Sequence, residues 1–343
     1  MRVERQGASC GSEPTVSVII PNYNHARYLP QRIESVLRQS YQDFEVILLD
    51  DASTDDSREV LSQHAGNPRV HMEFNRVNSG SPFKQWNKGA KLARGKYVWI
   101  AESDDYADER LLEALVAALE CDEKLAYAYC RSWRVTGDGH VDGFGDWYLE
   151  EIDEKRWKSD FRMDGREFCR KFLGQSPVVC NASAAVFRKA AYEAAGGADE
   201  ALRLCGDWKL WAALALEGDV AFVSEPLNYF RYHASTSRGR NAKGAVDVME
   251  KLEVMRWILD RSGATPSDWN NARREASALW VPAILSFRLP FGLKRKILRL
   301  AKAIDPHPLR RIARPAITTL RLKIARHWRE RRPKPGVREL RHT

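Results

Sequence analysis

The sequence predicts an α/β protein in which a mostly parallel sheet is flanked by helices. Between Val16 and His233, short runs rich in Val, Ile, Leu and aromatic residues alternate with segments whose apolar residues recur every three or four positions. The first pattern is typical of buried strands and the second of amphipathic helices. Their alternation indicates βαβ units, whose strands run parallel within one sheet.

Turn and cap residues separate the elements in the first part of the chain. Pro21 closes the first strand, and Ser53 or Thr54 can cap the second helix. A turn at Asn78-Ser-Gly80 precedes the third helix. The predicted elements are, in order, strand 16–20, helix 28–39, strand 44–49, helix 55–64, strand 70–74, helix 83–93 and strand 97–101.

The second part continues the alternation less regularly. Helix 108–119 is well marked, because Leu111, Leu115 and Leu119 fall on one face. Residues 131–180 are rich in Trp, Gly and Asp and predict irregular structure. The remaining predicted elements are strand 125–130, strand 184–188, helix 189–195, helix 207–216 and strands 220–223 and 227–233.

Composition indicates a protein of a reducing compartment. The 343 residues include no apolar run long enough to span a bilayer, and the polar N-terminus does not resemble a secretory signal. The six cysteines show no C-x-x-C spacing, which argues against a structural zinc site and a disulfide framework. We therefore expect a cytoplasmic protein, associated at most with the inner face of the plasma membrane.

Acidic residues follow two of the buried strands and predict a cation–diphosphate site. The stretch Glu102-Ser-Asp-Asp105 ends strand 97–101, and Asp50-Asp51 ends strand 44–49. Buried strand ends of this kind need a cation or hydrogen-bond donors to compensate the carboxylates, and ligands bind at that edge of an α/β sheet. Mg²⁺ or Mn²⁺ takes one or two carboxylates together with substrate phosphates. The alternative interpretation is a pair of acidic turns that cap the following helices.

Six motifs occur in one order along the chain: Val-Ser-Val-Ile-Ile-Pro-Asn-Tyr-Asn at 16–24, Leu-Asp-Asp-Ala-Ser-Thr-Asp-Asp at 49–56, Asn78-x-Gly80, Asn87-x-Gly89, Gly95-Lys-Tyr-Val and Ser103-Asp-Asp105. Together they resemble family 2 glycosyltransferases of the GT-A fold. The resemblance implies inverting, metal-dependent transfer of a sugar from a nucleotide-diphosphate sugar to an acceptor hydroxyl, with Mn²⁺ or Mg²⁺ as cofactor. The family's habits imply a role in bacterial surface polysaccharide or glycoconjugate synthesis.

The resemblance also implies a role for each matching residue. Asp207 is expected to be the catalytic base, and His233 to lie near the diphosphate and the metal. Of the two acids, Asp105 is favoured over Asp104 as the direct metal ligand. The residues expected to contact the nucleotide or its phosphates are Pro21, Tyr23, Asn24, Asp50, Asp51, Lys84 and Asp104.

The chemistry of the transfer supports a base that stands apart from the cation. The acceptor hydroxyl must lose a proton as it attacks, so a carboxylate is needed on the far side of the sugar. A bound cation would depress the basicity of its own ligand, which excludes the acid that holds the metal. Asp207 heads helix 207–216, far in sequence from Asp104 and Asp105. The competing interpretation is that Asp207 merely caps its helix.

The chain departs from the family pattern at two positions near these residues. Gly206 stands where the family has a Glu beside the base, which removes an acid that could orient the acceptor. Trp86 stands where an Arg is common before Asn87, and Lys84 is the candidate that supplies the missing phosphate charge.

Three questions stay open at this level. Aromatic residues in the irregular region either stack on acceptor sugars or pack onto the core; they are Trp133, Trp147, Tyr148 and Trp157. The protein is alternatively a non-catalytic sugar-nucleotide-binding scaffold. A nucleotidyltransferase is disfavoured, because no Gly-rich phosphate loop lies at the N-terminus.

The partners expected are a nucleotide-diphosphate sugar, preferably of the uridine type, and an acceptor glycan or glycolipid.

The C-terminal part of the chain has a different character. We expect a GT-A domain at 1–238 and a basic helical extension at 239–343, with a linker at 239–244 and a disordered end at 331–343. From Lys294 onward there are 17 Lys/Arg against three Asp/Glu, a local charge of +14 in a chain whose net charge is +9. Leu and Ile interspersed among these cations over 294–328 suggest an anionic membrane surface as partner. Nucleic acid is less favoured, because no recognition motif accompanies the charge.

Overall fold

The fold was analysed in a computed structural model that describes residues 13–146, 148–233 and 245–308. Its centre is one ten-stranded sheet. The strands are β1 (Val16–Asn22), β2 (Phe44–Asp50), β3 (Val70–Phe74), β4 (Tyr97–Ile100), β5 (Tyr106–Ala107), β6 (Leu125–Thr136), β7 (Val141–Phe144), β8 (Phe161–Met163), β9 (Ala185–Arg188) and β10 (Asp219–Tyr232).

The sheet has a parallel half and a mixed half. Strands β3, β2, β1 and β4 lie side by side and run parallel, as the βαβ pattern predicts. Beyond β4, antiparallel β9 is inserted before the parallel pair β6–β10, and β5 forms an antiparallel edge. The carboxyl ends of β1, β2 and β4 therefore share one rim, and the α/β class is confirmed.

Helices cover both faces of the sheet and also form the C-terminal part. They are α1 (Leu29–Leu37), α2 (Ser57–Ser62), α3 (Pro82–Leu92), α4 (Leu111–Glu120), α5 (Leu149–Ile152), α6 (Gly165–Phe168), α7 (Lys189–Ala194), α8 (Gly206–Glu217), α9 (Ala245–Ser262), α10 (Pro266–Leu285) and α11 (Phe291–Ile304). None of the helices in the described ranges is both long and apolar enough to cross a bilayer.

The predicted boundaries of strands and helices differ most from the observed ones in the second half of the sheet. The two late strands predicted at 220–223 and 227–233 are one continuous strand, β10, whose pairing with β6 shifts register on either side of Pro226. Proline has no amide hydrogen to donate to the neighbouring strand, which explains the break in the hydrogen-bond ladder between β10 and β6. The region predicted to be irregular contributes β7, β8 and the short helices α5 and α6.

Two apolar clusters, one on each face of the sheet, form the core. Successive strand residues alternate between them: Ile19 belongs to one and Val18 to the other, as the pleat of a strand requires. The cluster that contains Ile19 also contains Leu252, Trp280 and Ile297 from α9, α10 and α11. The C-terminal helices thus extend that cluster outward, with α9 packing against α8 and the segment 169–173. The predicted domain division at 238 stays a prediction, since it falls at residues 234–244, outside the described ranges.

Candidate active site

The rim formed by β1, β2 and β4 opens into a cavity of about 900 Å³. Side chains from several separate segments line it, including the start of α3 and of α8. Three of the carboxylates expected to act together, Asp51, Asp104 and Asp207, face this one cavity. Other residues in its wall are Pro21, Tyr23, His25, Trp86, Glu102, Asp105, Arg203, Leu204, Arg231 and His233.

Asp51 forms a fixed acidic point on one wall. Its carboxylate accepts hydrogen bonds from Asn75 Nδ2 at 2.6 Å, Ser79 N at 2.9 Å, Ser79 Oγ at 2.7 Å and Gln85 Nε2 at 2.9 Å. Donors from three places in the chain therefore hold the group in one orientation. Half-exposed Tyr23 lies in the same wall. The wall thus combines an aromatic ring with an oriented carboxylate.

Three residues expected to contact the nucleotide or its phosphates do not line the cavity. Asp50 is fully buried, and its carboxylate accepts from Arg58 Nε at 2.9 Å and from Ser53 N at 3.1 Å. Asn24 Oδ1 accepts from Thr54 N at 2.7 Å. Lys84 Nζ donates to the Ser79 carbonyl at 3.2 Å. Each side chain contacts a neighbouring loop in the structure, and its contact with the nucleotide stays a prediction.

Asp104 lies close to two histidines in the wall of the cavity. Its Oδ2 is 2.9 Å from His233 Nε2, and one ligand atom from each of His25, Asp104 and His233 lies within 4.8 Å of the others. Burial raises the pKa of Asp104, but the His233 hydrogen bond and the charge of His25 outweigh it, so its pKa lies below the ordinary value. An ionised carboxylate beside two imidazoles is a donor set that can hold a divalent cation.

Asp105 is placed differently from its neighbour. Its side chain is 2% exposed and accepts from Asn181 Nδ2 at 2.5 Å, Ser183 Oγ at 2.6 Å and the Arg231 amide at 2.9 Å. Burial and the charge of Asp104 raise the pKa of Asp105 to about 7. Both of its oxygens are engaged by the protein. The geometry therefore favours Asp104 over Asp105 as a metal ligand, the reverse of the order that the resemblance implies.

A buried arginine that sequence reasoning missed lies beneath the acidic cluster. Arg32 in α1 is fully buried, donates from Nε to the Glu102 carbonyl at 2.8 Å, and packs 5.5 Å from the Trp99 ring centre. Burial lowers the pKa of Arg32 to about 10, although Asp105 and Asp104 act in the opposite direction. Glu102 accepts from Trp86 Nε1 at 2.7 Å, and burial raises its pKa to about 8. Arg32 is thus a counter-charge to the acidic cluster.

Arg231 is a second missed cation of the site. Arg231 lies within the strand predicted at 227–233, but nothing in the neighbouring sequence indicated which residues it contacts. Its Nε donates to the Asp104 carbonyl at 2.8 Å and its Nη2 to Gln31 Oε1 at 2.6 Å. Together with the bond from its amide to Asp105, these contacts tie β10 to the loop that carries both acids.

Asp207 occupies the first turn of α8, with its carboxylate facing the cavity. Its Oδ1 accepts from the Trp208 amide at 2.7 Å. Close packing accounts for the glycine at the neighbouring position 206, because a Cβ there would lie 2.4 Å from the Phe83 ring. A glutamate here would displace Phe83, which explains why the acid expected beside the base is missing.

The aromatic residues of the region 131–180 pack within the protein. Trp157 is buried with its Nε1 donating to Tyr129, Trp133 stacks on Phe144 at 4.6 Å, and Tyr148 donates to the Pro177 carbonyl. None of these three lines the cavity. Trp157 and Tyr148 pack in or onto the apolar core, whereas partly buried Trp133 lies against β7. Trp147 lies outside the described residues.

An open α/β sheet whose strand ends carry acidic side chains around one cleft defines a class, the glycosyltransferases of the GT-A fold. The chain belongs to one family of this class, glycosyl transferase family 2, whose sequence model matches residues 17–196. The match confirms the resemblance seen in the six motifs.

Individual relatives agree with this family. Over 164 residues the chain is 36% identical to the glycosyltransferase GlyG of Streptococcus pneumoniae, a match covering 48% of each chain. Over 137 residues it is 32% identical to the chondroitin synthase of Escherichia coli, covering 40% of this chain and 20% of that one. The matched part thus spans about half the length of the first relative and less of the second.

Solved structures share the fold at low sequence identity. Staphylococcus aureus TarS 1–349, solved with UDP-GlcNAc, superposes with a TM-score of 0.66 at 17% identity, covering 85% of this chain and 82% of that one. The mannosyltransferase PcManGT of Pyrobaculum calidifontis, solved with GDP-Man and Mn²⁺, gives a TM-score of 0.52 at 16% identity over 87% and 88% of the two chains. These likenesses concern the fold alone.

Proposed function

We propose that the protein is an inverting glycosyltransferase that moves a sugar from a nucleotide-diphosphate sugar to an acceptor hydroxyl during bacterial surface polysaccharide or glycoconjugate synthesis. One observation carries this proposal: Asp51, Asp104 and Asp207, delivered by three different segments, face one cavity large enough for a sugar nucleotide. The same cavity contains a candidate cation site and, apart from it, a further carboxylate.

The wall around Tyr23 and Asp51 suits the nucleoside. Tyr23 offers a ring face on which the nucleobase can stack, and Pro21 lies in the same wall of the cavity. The oriented carboxylate of Asp51 can accept a hydrogen bond from the imide or amine N–H of a base. A uridine nucleotide is our preferred donor, and the complex of TarS with UDP-GlcNAc supports that choice by analogy.

The cation would be held by Asp104, His233 and His25. The three ligand atoms lie close enough to share one ion, and the lowered pKa of Asp104 keeps its carboxylate ionised. Two imidazole nitrogens suit Mn²⁺ better than Mg²⁺, which takes oxygen ligands almost exclusively. When bound, such an ion neutralises the negative charge that develops on the leaving diphosphate.

Asp207 is assigned the role of base. As the acceptor oxygen forms its bond to the anomeric carbon, its proton passes to the Asp207 carboxylate. The bond from that carbon to the diphosphate oxygen breaks, and its electron pair leaves with the diphosphate. Attack opposite to the leaving group inverts the anomeric centre. General-base assistance of this kind is typically worth about 10²- to 10⁴-fold in rate.

The decisive experiment separates this function from a non-catalytic binding protein. Asp207→Asn should reduce sugar transfer and donor hydrolysis by at least about 10²-fold, with nucleotide affinity unchanged. Glu217→Gln, at the exposed far end of the same helix, is the matched control and should behave like wild type. Unchanged turnover in Asp207→Asn would remove Asp207 as the base, and absence of turnover in the wild type with a panel of sugar nucleotides would favour the binding protein.

We also propose that the C-terminal part contacts an anionic membrane surface, through a different feature from the one the sequence suggested. The apolar side of α11 is not available, because Ile297, Ala301 and Ile304 are buried in the core. The turn between α10 and α11 and the helix ends on either side of it instead expose apolar side chains. Leu285 is 57% exposed, Phe287 is fully exposed and Phe291 is 75% exposed. Residues 309–328 lie outside the described ranges.

Charge supports the same surface. Residues 286–304 contain six Lys/Arg and no Asp/Glu, so apolar rings and cations are presented together, as on proteins that bind anionic bilayers. Phe287→Ser/Phe291→Ser should abolish flotation with phosphatidylglycerol vesicles, whereas Val77→Ser, which changes an exposed apolar residue elsewhere, should not. Equal flotation of all three proteins, or equal binding to neutral phosphatidylcholine vesicles, would contradict this attachment.

A further inference from the structure

The carboxylate of Glu250 reaches from α9 to the segment that precedes α8. It accepts hydrogen bonds from the backbone amides of Arg203 at 2.8 Å, Leu204 at 2.8 Å and Cys205 at 3.0 Å. Only 7% of the Glu250 residue is exposed. Three amide donors on one largely buried carboxylate form a strong, charge-assisted set of contacts.

One of these contacts, from the amide of Cys205, gives the N-cap of α8 an acceptor that a capping box would otherwise provide locally. Helix α8 begins at Gly206, and its N-cap residue Cys205 supplies no capping hydrogen bond from its side chain to any described residue. A helix start normally obtains an acceptor from a nearby Ser, Thr, Asp or Glu. Here the acceptor comes from a residue 45 positions later in the chain.

The segment that Glu250 holds is part of the cavity. Arg203 and Leu204 line it, and Asp207 follows two residues after Cys205. The wall around Asp51 is held separately, by Asn75, Ser79 and Gln85. Glu250 is therefore connected to the side of the cavity that carries the proposed base and not to the nucleoside wall.

We propose that Glu250 is a positioning residue, which fixes the segment 203–207 so that the Asp207 carboxylate faces the acceptor hydroxyl. This inference rests on the proposed role of Asp207. It makes α9, which lies outside the family match at residues 17–196, a working part of the active site. Catalysis is sensitive to such placement, since a shift of about 1 Å in a reacting group can cost about 10²-fold in rate.

The test compares Glu250→Gln with Glu253→Gln in the full-length chain. Glutamine has nearly the same shape but only one acceptor oxygen, so it cannot satisfy all three amides. Glu253, one turn further along α9, is exposed and serves as the control. We expect kcat for transfer to fall about 10- to 100-fold in Glu250→Gln, with the dissociation constant for UDP and Mn²⁺ within about twofold of wild type. Glu253→Gln should match wild type in both.

A double-mutant cycle distinguishes positioning from general support. If Glu250 acts through Asp207, Glu250→Gln should cost little further activity in an Asp207→Asn background. Wild-type kcat in Glu250→Gln, a parallel loss of UDP affinity, or additive losses in the double variant would each overturn the proposal. Loss of activity on Glu250→Gln without any effect of Asp207→Asn would instead refute the proposed base.

Hydrogen exchange gives a second measurement that does not depend on activity. The amides of 203–205 should exchange faster in Glu250→Gln, while those of β1 and β2 keep their wild-type protection. Glu250→Asp retains the charge on a shorter side chain and should be intermediate in both exchange and kcat. Unaltered exchange at 203–205 in Glu250→Gln would show that the contacts do not hold this segment, and would overturn the proposal.

Discussion

Asp104 Oδ2 and His233 Nε2 lie 2.9 Å apart in the wall of the cavity, although 129 positions separate the two residues in the chain. One ends the central strand β4 and the other follows β10. A cation at this point would tie the two halves of the sheet together. A requirement of the proposed transfer for a divalent cation is therefore the first property to test.

His233→Ala should raise the Mn²⁺ concentration needed for half-maximal transfer by about tenfold or more, because it removes one of three donors. Outer contacts of metal ligands alone are worth about 10- to 100-fold in affinity or activity. His71→Ala, at a half-exposed histidine on β3, is the control. Chelation by EDTA should stop transfer by the wild type, and Mn²⁺ should restore it. Transfer that persists in EDTA would contradict a metal-dependent reaction.

Asp104→Asn and Asp105→Asn should have different consequences. The first should weaken Mn²⁺ activation while leaving thermal stability nearly unchanged. The second places an amide against the donors Asn181 and Ser183, and an unsatisfied buried polar group costs about 1–3 kcal/mol. We therefore expect Asp105→Asn to unfold at lower temperature with an unaltered Mn²⁺ requirement. The opposite pattern would restore Asp105 as the metal ligand.

Arg32→Met should destabilise the protein strongly, since it leaves a buried acidic cluster without its counter-charge. Leaving a buried charge uncompensated typically costs about 3–5 kcal/mol. Urea unfolding measures this loss, with Arg38→Met as control because that side chain is 74% exposed next to the same helix. Equal stability of the two variants would show that the Arg32 charge is not needed to balance the acids.

Gly206→Ala should destabilise the protein, because steric overlap with Phe83 outweighs the higher helix propensity of alanine. The added Cβ would meet the Phe83 ring at 2.4 Å, and overpacking of this kind typically costs about 1–3 kcal/mol. Combination with Phe83→Leu should recover part of the loss, which thermal unfolding can detect. If Gly206→Ala is as stable as wild type, the close approach does not account for the glycine.

Sequence reasoning recovered the parts of the site that are encoded locally. Asp51 and Asp104 each follow a strand, and Asp207 lies in the first turn of a helix, so motif and periodicity together indicate their place. His25, Arg32 and Glu250 carry no such signal. Arg32 lies within an apolar helical pattern, where a buried cation is unexpected, and Glu250 acts on amides 45 or more positions away. Their roles arise from packing between distant segments.

The same limit applies to the expected nucleotide contacts that do not line the cavity. Asp50 stands beside Asp51 in the sequence, but successive side chains of a strand point in opposite directions. Asp50 faces Arg58 while Asp51 faces the cavity. Neighbouring acids can therefore have unrelated tasks, and only the three-dimensional arrangement separates them.

The apolar cluster that joins Ile19 to Trp280 and Ile297 has a consequence for biosynthesis. During translation, α8 and the segment 169–173 emerge from the ribosome before α9, which packs against both. Their outer apolar surface stays uncovered until the C-terminal helices have been added, and aggregation of the nascent chain competes with folding over this interval. A chaperone that shields apolar surface should therefore raise the yield of full-length protein, and a chain cut near residue 238 should remain bound to it.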